Sequence, residues 1–210
     1  MGAITPFDLG FYEAPRAAAL SGVPERTLYH WAKAGLIVPS ISVTRQRLWS
    51  YGDLLTLRLV RWLRTPKTAD GVQIAKTKMA EVRAALREAG DRLWVVDDSG
   101  RERPTIQVTQ AGEIVFAGNY RVGGQGMLPI LDLFAPFEHG PDLRVPRPHL
   151  RIVPGNVAGE PHLAHSRLTT RVVAALAGRG FSLEQIKALY PRDDPAGLRE
   201  AIDLEGQLAA

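Results

Sequence analysis

The feature that most restricts this chain lies between Glu13 and Gly35, where two short helical segments are separated only by Gly22-Val23-Pro24. Residues 13–21 read as the first helix, with Pro15 in the opening turn, where its missing N–H costs no hydrogen bond. Ala18, Ala19 and Leu20 give it a small apolar surface, and Gly22 ends it. Pro24 opens a second helix that runs to Ala34, and Gly35 closes it. Helices joined by so few residues must turn sharply and pack on each other, which is the corner of a helix-turn-helix.

Side chains three or four apart share a helix face. In the second helix Leu28, Trp31 and Ala32 fall together and face inward. Arg26, Tyr29, His30 and Lys33 fall on the other side with Glu25. A helix that turns donors and cations outward suits a major-groove reader, and the same pattern also describes a plain amphipathic surface helix. Residues 36–49 carry β-branched residues on both sides of Arg45-Gln46-Arg47, a pattern expected of a two-stranded wing with a basic turn. Ser50 and Asp53 form a capping box for a helix reaching Arg64. In that helix Leu54, Leu55, Leu57 and Val60 repeat at helical spacing, and Arg58, Arg61 and Arg64 share another face. A further helix is expected over 72–89, with Ile74, Met79, Val82 and Leu86 inward.

Charge follows this division. Residues 1–90 hold 13 Lys/Arg against 7 Asp/Glu, a net +6, whereas 91–150 net −2 and 151–210 net zero. A basic surplus confined to the helix-turn-helix segment is the electrostatic footprint of phosphate binding. There is no cysteine, which excludes a disulfide framework, a thiolate metal site and a cysteine nucleophile. The first ten residues lack the basic start and apolar run of a signal peptide, and no apolar stretch approaches a membrane span. The expected location is the cytoplasm, with no membrane partner.

The middle region reads as a small antiparallel sheet. Leu93–Val96 is one strand, and Thr105–Thr109 turns through Gln110-Ala111-Gly112 into Glu113–Phe116. Glycines at 118–126 and prolines at 136–148 mark a connector. The last region is helical again over 168–177, 183–190 and 196–208, with Ser182 and Gln185 forming a second capping box. The expected fold is mainly α with a small antiparallel β-sheet. It comprises an N-terminal winged helix-turn-helix unit (1–90), a central hairpin or meander with its connector (91–150), and a C-terminal trihelical, helix-turn-helix-like unit (151–210).

Two resemblances follow. Val23-Pro24-Glu25-Arg26-Thr27-Leu28-Tyr29-His30-Trp31, Gly35-Leu36-Ile37-Val38-Pro39, Arg47-Leu48-Trp49-Ser50 and Asp53-Leu54 resemble the MerR family's DNA-binding domain across residues 11–64. The resemblance implies that helix 24–34 enters the major groove of double-stranded DNA and that the wing touches phosphates. The implied contacts are Glu25, Arg26, Thr27, Tyr29, His30, Lys33, Arg45 and Arg47. Tyr29 stands where that family commonly has arginine, and no long dimerising helix follows. Gly159-Glu160-Pro161-His162, Arg167-Leu168-Thr169-Thr170, Gly180–Ile186, Leu189-Tyr190-Pro191 and Leu198-Arg199-Glu200-Ala201-Ile202 resemble a trihelical family often encoded beside PIN-domain ribonuclease toxins. Together the two resemble a VapB-type antitoxin. That implies an autorepressor that works as a homodimer and neutralises a PIN-type toxin, with Arg144, Arg147 and Arg151 as candidate toxin contacts. Rival readings are a ligand-sensing regulator using residues 91–150 and a protein-interaction scaffold.

Other constellations have simpler structural roles. His162-x-x-His165 is half a metal site without further ligands fixed by spacing. Gly123-Gly124-Gln125-Gly126 lacks the Lys-Ser/Thr of a phosphate loop, and Asp97-Asp98 and Asp193-Asp194 fit turns and caps. Nothing assembles a nucleophile, a base and an orienting partner, so no enzyme, cofactor or metal is expected.

Overall fold

The computed structural model describes residues 4–44, 46–69, 72–96, 102–116, 127–128 and 140–209. The architecture is mainly α with small antiparallel sheets. The N-terminal part runs β1 (Tyr12–Glu13), α1 (Ala14–Ser21), α2 (Glu25–Lys33), β2 (Leu48–Trp49) and α3 (Tyr51–Arg64). Gly22 caps α1 in the left-handed conformation, φ +71°, which is where glycine avoids a Cβ penalty. The Ser50–Asp53 capping box forms as read from the sequence.

The wing departs from the expected ladder. Ser42 and Leu48 make a single antiparallel bridge, and β2 uses its other edge to pair with β1 through Tyr12–Trp49 and Glu13–Leu48. Residues 67–74 are also not helical. They form a hairpin, β3 (Lys67–Ala69) against β4 (Val72–Ile74), and the helix expected over 72–89 is confined to α4 (Met79–Ala89). Val72 and Ile74 are β-branched residues that suit a strand, and Lys78 at the N-cap offers no side-chain cap to mark where the helix begins.

The middle strands are β5 (Trp94–Val96) with β6 (Glu102–Pro104), and β7 (Ile106–Thr109) between β8 (Ile114–Phe116) and β9 (Met127–Leu128). Apolar side chains of this region join the N-terminal core: Leu93, just before β5, and Trp94, Ile106 and Val108 pack in one cluster with Leu28, Trp49, Leu54 and Leu63. Arg58, assigned by spacing to a shared face with Arg61 and Arg64, is wholly buried in this cluster. It donates to the carbonyls of Leu20, at 2.7 Å, and Pro141. Burial pushes its pKa down to about 10, because low dielectric disfavours the charged form.

The C-terminal part contains β10 (Leu150–Arg151) paired with β11 (His162–Leu163), then α5 (Thr170–Gly178), α6 (Leu183–Leu189) and α7 (Pro195–Ala209). Leu150, Leu163, Val173, Ile186, Leu198, Ala201 and Leu204 make a second core, and Leu208 touches both. A buried charge network joins the two parts. Arg16 on α1 forks onto Glu205 of α7 at 2.9 and 2.8 Å and reaches Glu160 at 3.0 Å. Thr170 also donates to Glu205, and the Tyr12 hydroxyl donates to the Gly159 carbonyl at 2.9 Å. Among the described residues no helix is long and apolar enough to cross a membrane.

Candidate nucleic-acid interface

The interface is built on α2. Leu28 and Trp31 are buried and anchor it to the core. Its C-terminus closes in a Schellman arrangement: Leu36 N–H donates to the Trp31 carbonyl at 2.9 Å, and Gly35 N–H donates to that of Ala32 at 3.1 Å. Gly35 sits at φ +64° to allow this, which satisfies carbonyls that the helix end would orphan. Arg83 of α4 donates to the Ala34 carbonyl at 2.9 Å, placing a cation at the negative end of the helix dipole. The N-terminus is opened by Pro24 without a side-chain cap.

With its inner face fixed, α2 turns Glu25, Arg26, Tyr29, His30 and Lys33 to solvent, and Thr27 is half-buried. Among the described residues, the side chains of Arg26, His30 and Lys33 make no hydrogen bond or ion pair with the protein. Their donors are therefore uncommitted. Arg47 lies over the Tyr29 ring, 5.5 Å from its centroid. Arg45 lies outside the described residues.

The wing is tied down beside this face. The Asp53 carboxylate accepts from Ser40 N–H at 2.9 Å, Ser40 Oγ at 2.8 Å and Ser50 N–H at 2.9 Å. Burial holds its pKa above the usual range, against the lowering effect of these bonds. Gln46 donates to Glu13 at 2.8 Å. Spacing shows Asp53 only as a helix cap. Its second role, together with the Arg83 cap and the placement of Arg47 over Tyr29, arises from residues distant in sequence and left no local signal.

The other candidates are dispersed. Arg144 pairs with Glu102, and Arg147 donates to Gln207 and to the Pro146 carbonyl. Arg151 donates to the carbonyls of Pro148 and Leu150. All three are half-buried. His162 is buried, its Nδ1 within 2.9 Å of the Glu160 carbonyl and its Nε2 3.0 Å from the Asn156 amide. A carbonyl can only accept, so Nδ1 carries the proton and Nε2 accepts from Asn156. Both nitrogens are thus spent internally, while His165 is exposed. Gly123–Gly126 and Asp97-Asp98 lie outside the described residues.

A helix-turn-helix with a solvent-facing cationic second helix defines a class, and comparison with known proteins gives it a family. Residues 12–67 match the MerR HTH family regulatory protein model, and this segment is a MerR-family helix-turn-helix domain. It is similar to uncharacterized HTH-type transcriptional regulators of Mycobacterium bovis and Mycobacterium tuberculosis, at 39% identity over 62 residues. The match spans 28% of this chain and 28% of each relative's own length. No solved structure matches the chain.

Proposed function

We propose that this chain is a cytoplasmic DNA-binding transcriptional regulator that inserts α2 into the major groove. The observation that carries this reading is the outward face of α2: exposed Arg26, His30 and Lys33 with uncommitted donors, on a helix held rigidly by Leu28, Trp31 and the Arg83 cap. Arg26 and His30 reach base edges, and Lys33 and Arg47 reach phosphates. The relatives' description as transcriptional regulators agrees with it. A single recognition helix covers one half-site, so the working form is a homodimer on a two-fold-symmetric operator. Neutralisation of a PIN-type toxin, with Arg144, Arg147 and Arg151 as candidate contacts, is a finer reading that co-purification with a ribonuclease partner would test; each of these arginines also makes hydrogen bonds within the chain.

Selection of duplexes from a random-sequence library tests it. The full chain should enrich a defined motif, and Arg26→Ala should weaken binding to that motif by about 1–3 kcal/mol if the arginine reads a base. A library without enrichment, or an Arg26→Ala/Lys33→Ala chain with unchanged affinity and salt dependence, would refute the reading.

A further inference from the structure

Tyr29 is the one large aromatic on the outward face of α2, at 41% exposure. Its ring meets Trp49 edge-on, with centroids 6.4 Å apart and planes at 76°. Trp49 is wholly buried and held in register against Tyr12, so the Tyr29 ring has a fixed backing. On this ring rests the Arg47 guanidinium. Arg47 is half-buried, and among the described residues it makes no hydrogen bond or ion pair. The carboxylate of Glu13, whose backbone pairs with the residue next to Arg47, is occupied instead by the neutral Gln46.

We infer that Tyr29 is a positioning residue that holds Arg47 of the wing on the face of α2, so that helix and wing together present one phosphate-binding guanidinium. The inference rests on the DNA-binding reading and assigns Tyr29 a role other than base contact. A guanidinium lying over an aromatic ring is attracted by the negative face of the ring, an interaction that uses none of its N–H donors and leaves them available for a phosphate. Helical spacing sets Tyr29 beside Arg26 and Lys33. The held cation therefore joins theirs at the flank of the helix, where phosphates border an occupied groove.

The consequence is unusual for a neutral side chain: removing it should change the number of phosphates neutralised. Each phosphate contact contributes roughly 0.9 to the slope of log affinity against log salt. On a duplex from the library selection, Arg47→Gln should reduce the slope by about 0.9. Tyr29→Leu, which alters no charge, should reduce it by nearly as much, and Tyr29→Phe should leave it intact. Joining Tyr29→Leu to Arg47→Gln should remove no more slope than Arg47→Gln alone. Lower affinity with an unchanged slope in Tyr29→Leu would overturn the inference, as would an unchanged slope in Arg47→Gln.

Nuclear magnetic resonance of the DNA-free chain reads the platform separately. The Arg47 side-chain protons should carry a ring-current shift that Tyr29→Leu abolishes and Tyr29→Phe keeps. Absence of that shift in the wild type overturns the platform. Its presence in a chain that binds no duplex overturns the DNA reading, and the phosphate role of Arg47 with it.

Discussion

Among the described residues are two helix–turn–helix corners, α1–α2 and α5–α6, and they differ in what they show to solvent. Each second helix is pinned by a fully buried aliphatic, Leu28 in α2 and Ile186 in α6. Each corner uses a left-handed glycine, Gly22 at φ +71° and Gly180 at φ +90°. Yet α2 faces outward with Arg26, Tyr29, His30 and Lys33, whereas α6 faces outward with Glu184, Gln185, Ala188 and Leu189. The cation of α6, Lys187, is drawn inward to the carbonyls of Pro191 and Asp193. The helix starts differ too. Ser182 and Gln185 cap α6 reciprocally, while Pro24 leaves the first amides of α2 without a side-chain acceptor. The same corner thus carries two surface chemistries, and only the first suits a polyanion. Function follows from the residues on the exposed face and not from the corner itself.

This contrast can be broken in steps, beginning with the link between the two parts. Arg16→Ala leaves the largely buried Glu205 without its cation and Glu160 with only the longer 3.7 Å contact to Arg171, and losing one member of a buried pair costs about 3–5 kcal/mol. Calorimetry should show a lower melting temperature and separation into two transitions, where a single unshifted transition would mean that the network does not couple the parts. Leu28→Ala and Ile186→Ala should each cost about 2–5 kcal/mol in denaturant unfolding. Only Leu28→Ala should also weaken DNA binding under conditions where both variants remain folded. Equal losses of binding would erase the distinction between the corners.

Ser182→Ala removes the cap of α6 and should cost about 1 kcal/mol, with DNA affinity unchanged in a fluorescence anisotropy titration. The smallest effect concerns His149, whose pKa is raised chiefly by its 2.8 Å hydrogen bond to Glu200. A folded-state value above the unfolded one means that the fold binds this proton more tightly. The stabilisation is therefore complete below the ordinary imidazole pKa of about 6.5 and is lost as pH rises through the folded value. Glu200→Gln should move the His149 titration, followed by its ring proton resonances, back toward the ordinary value. An unmoved titration would remove Glu200 as the cause.

Much of this was legible in the sequence wherever the signal is local. The Gly22 and Gly35 stops, the Ser50–Asp53 and Ser182–Gln185 boxes and the three-to-four spacing of Leu28 and Trp31 located α1, α2, α3 and α6 within a residue or two. The outward face of α2 could be read from the same spacing. What escaped depends on distant partners. The pairing of β1 with β2 joins residues 12 and 49, and two-residue strands such as β10 and β11 are too short to show alternation. The β3–β4 hairpin was hidden because apolar Ile74 also fits the inward face of the helix that follows. Arg58 looked like a surface cation, and its buried acceptors, Leu20 and Pro141, lie far along the chain. Arg144 and Arg147 likewise looked free on a connector because Glu102 and Gln207 cannot be assigned to them from spacing.

The claim that the exposed side of α2, and not that of α6, meets DNA has a direct test in site-specific photo-crosslinking. A photoreactive residue replaces His30 in one full-length chain and Ala188 in another, and each is irradiated with the selected duplex. Crosslinking from position 30 to bases inside the motif, with none from position 188, is the predicted result. Crosslinking from position 188, or none from position 30 in a chain that still binds the duplex, would contradict it.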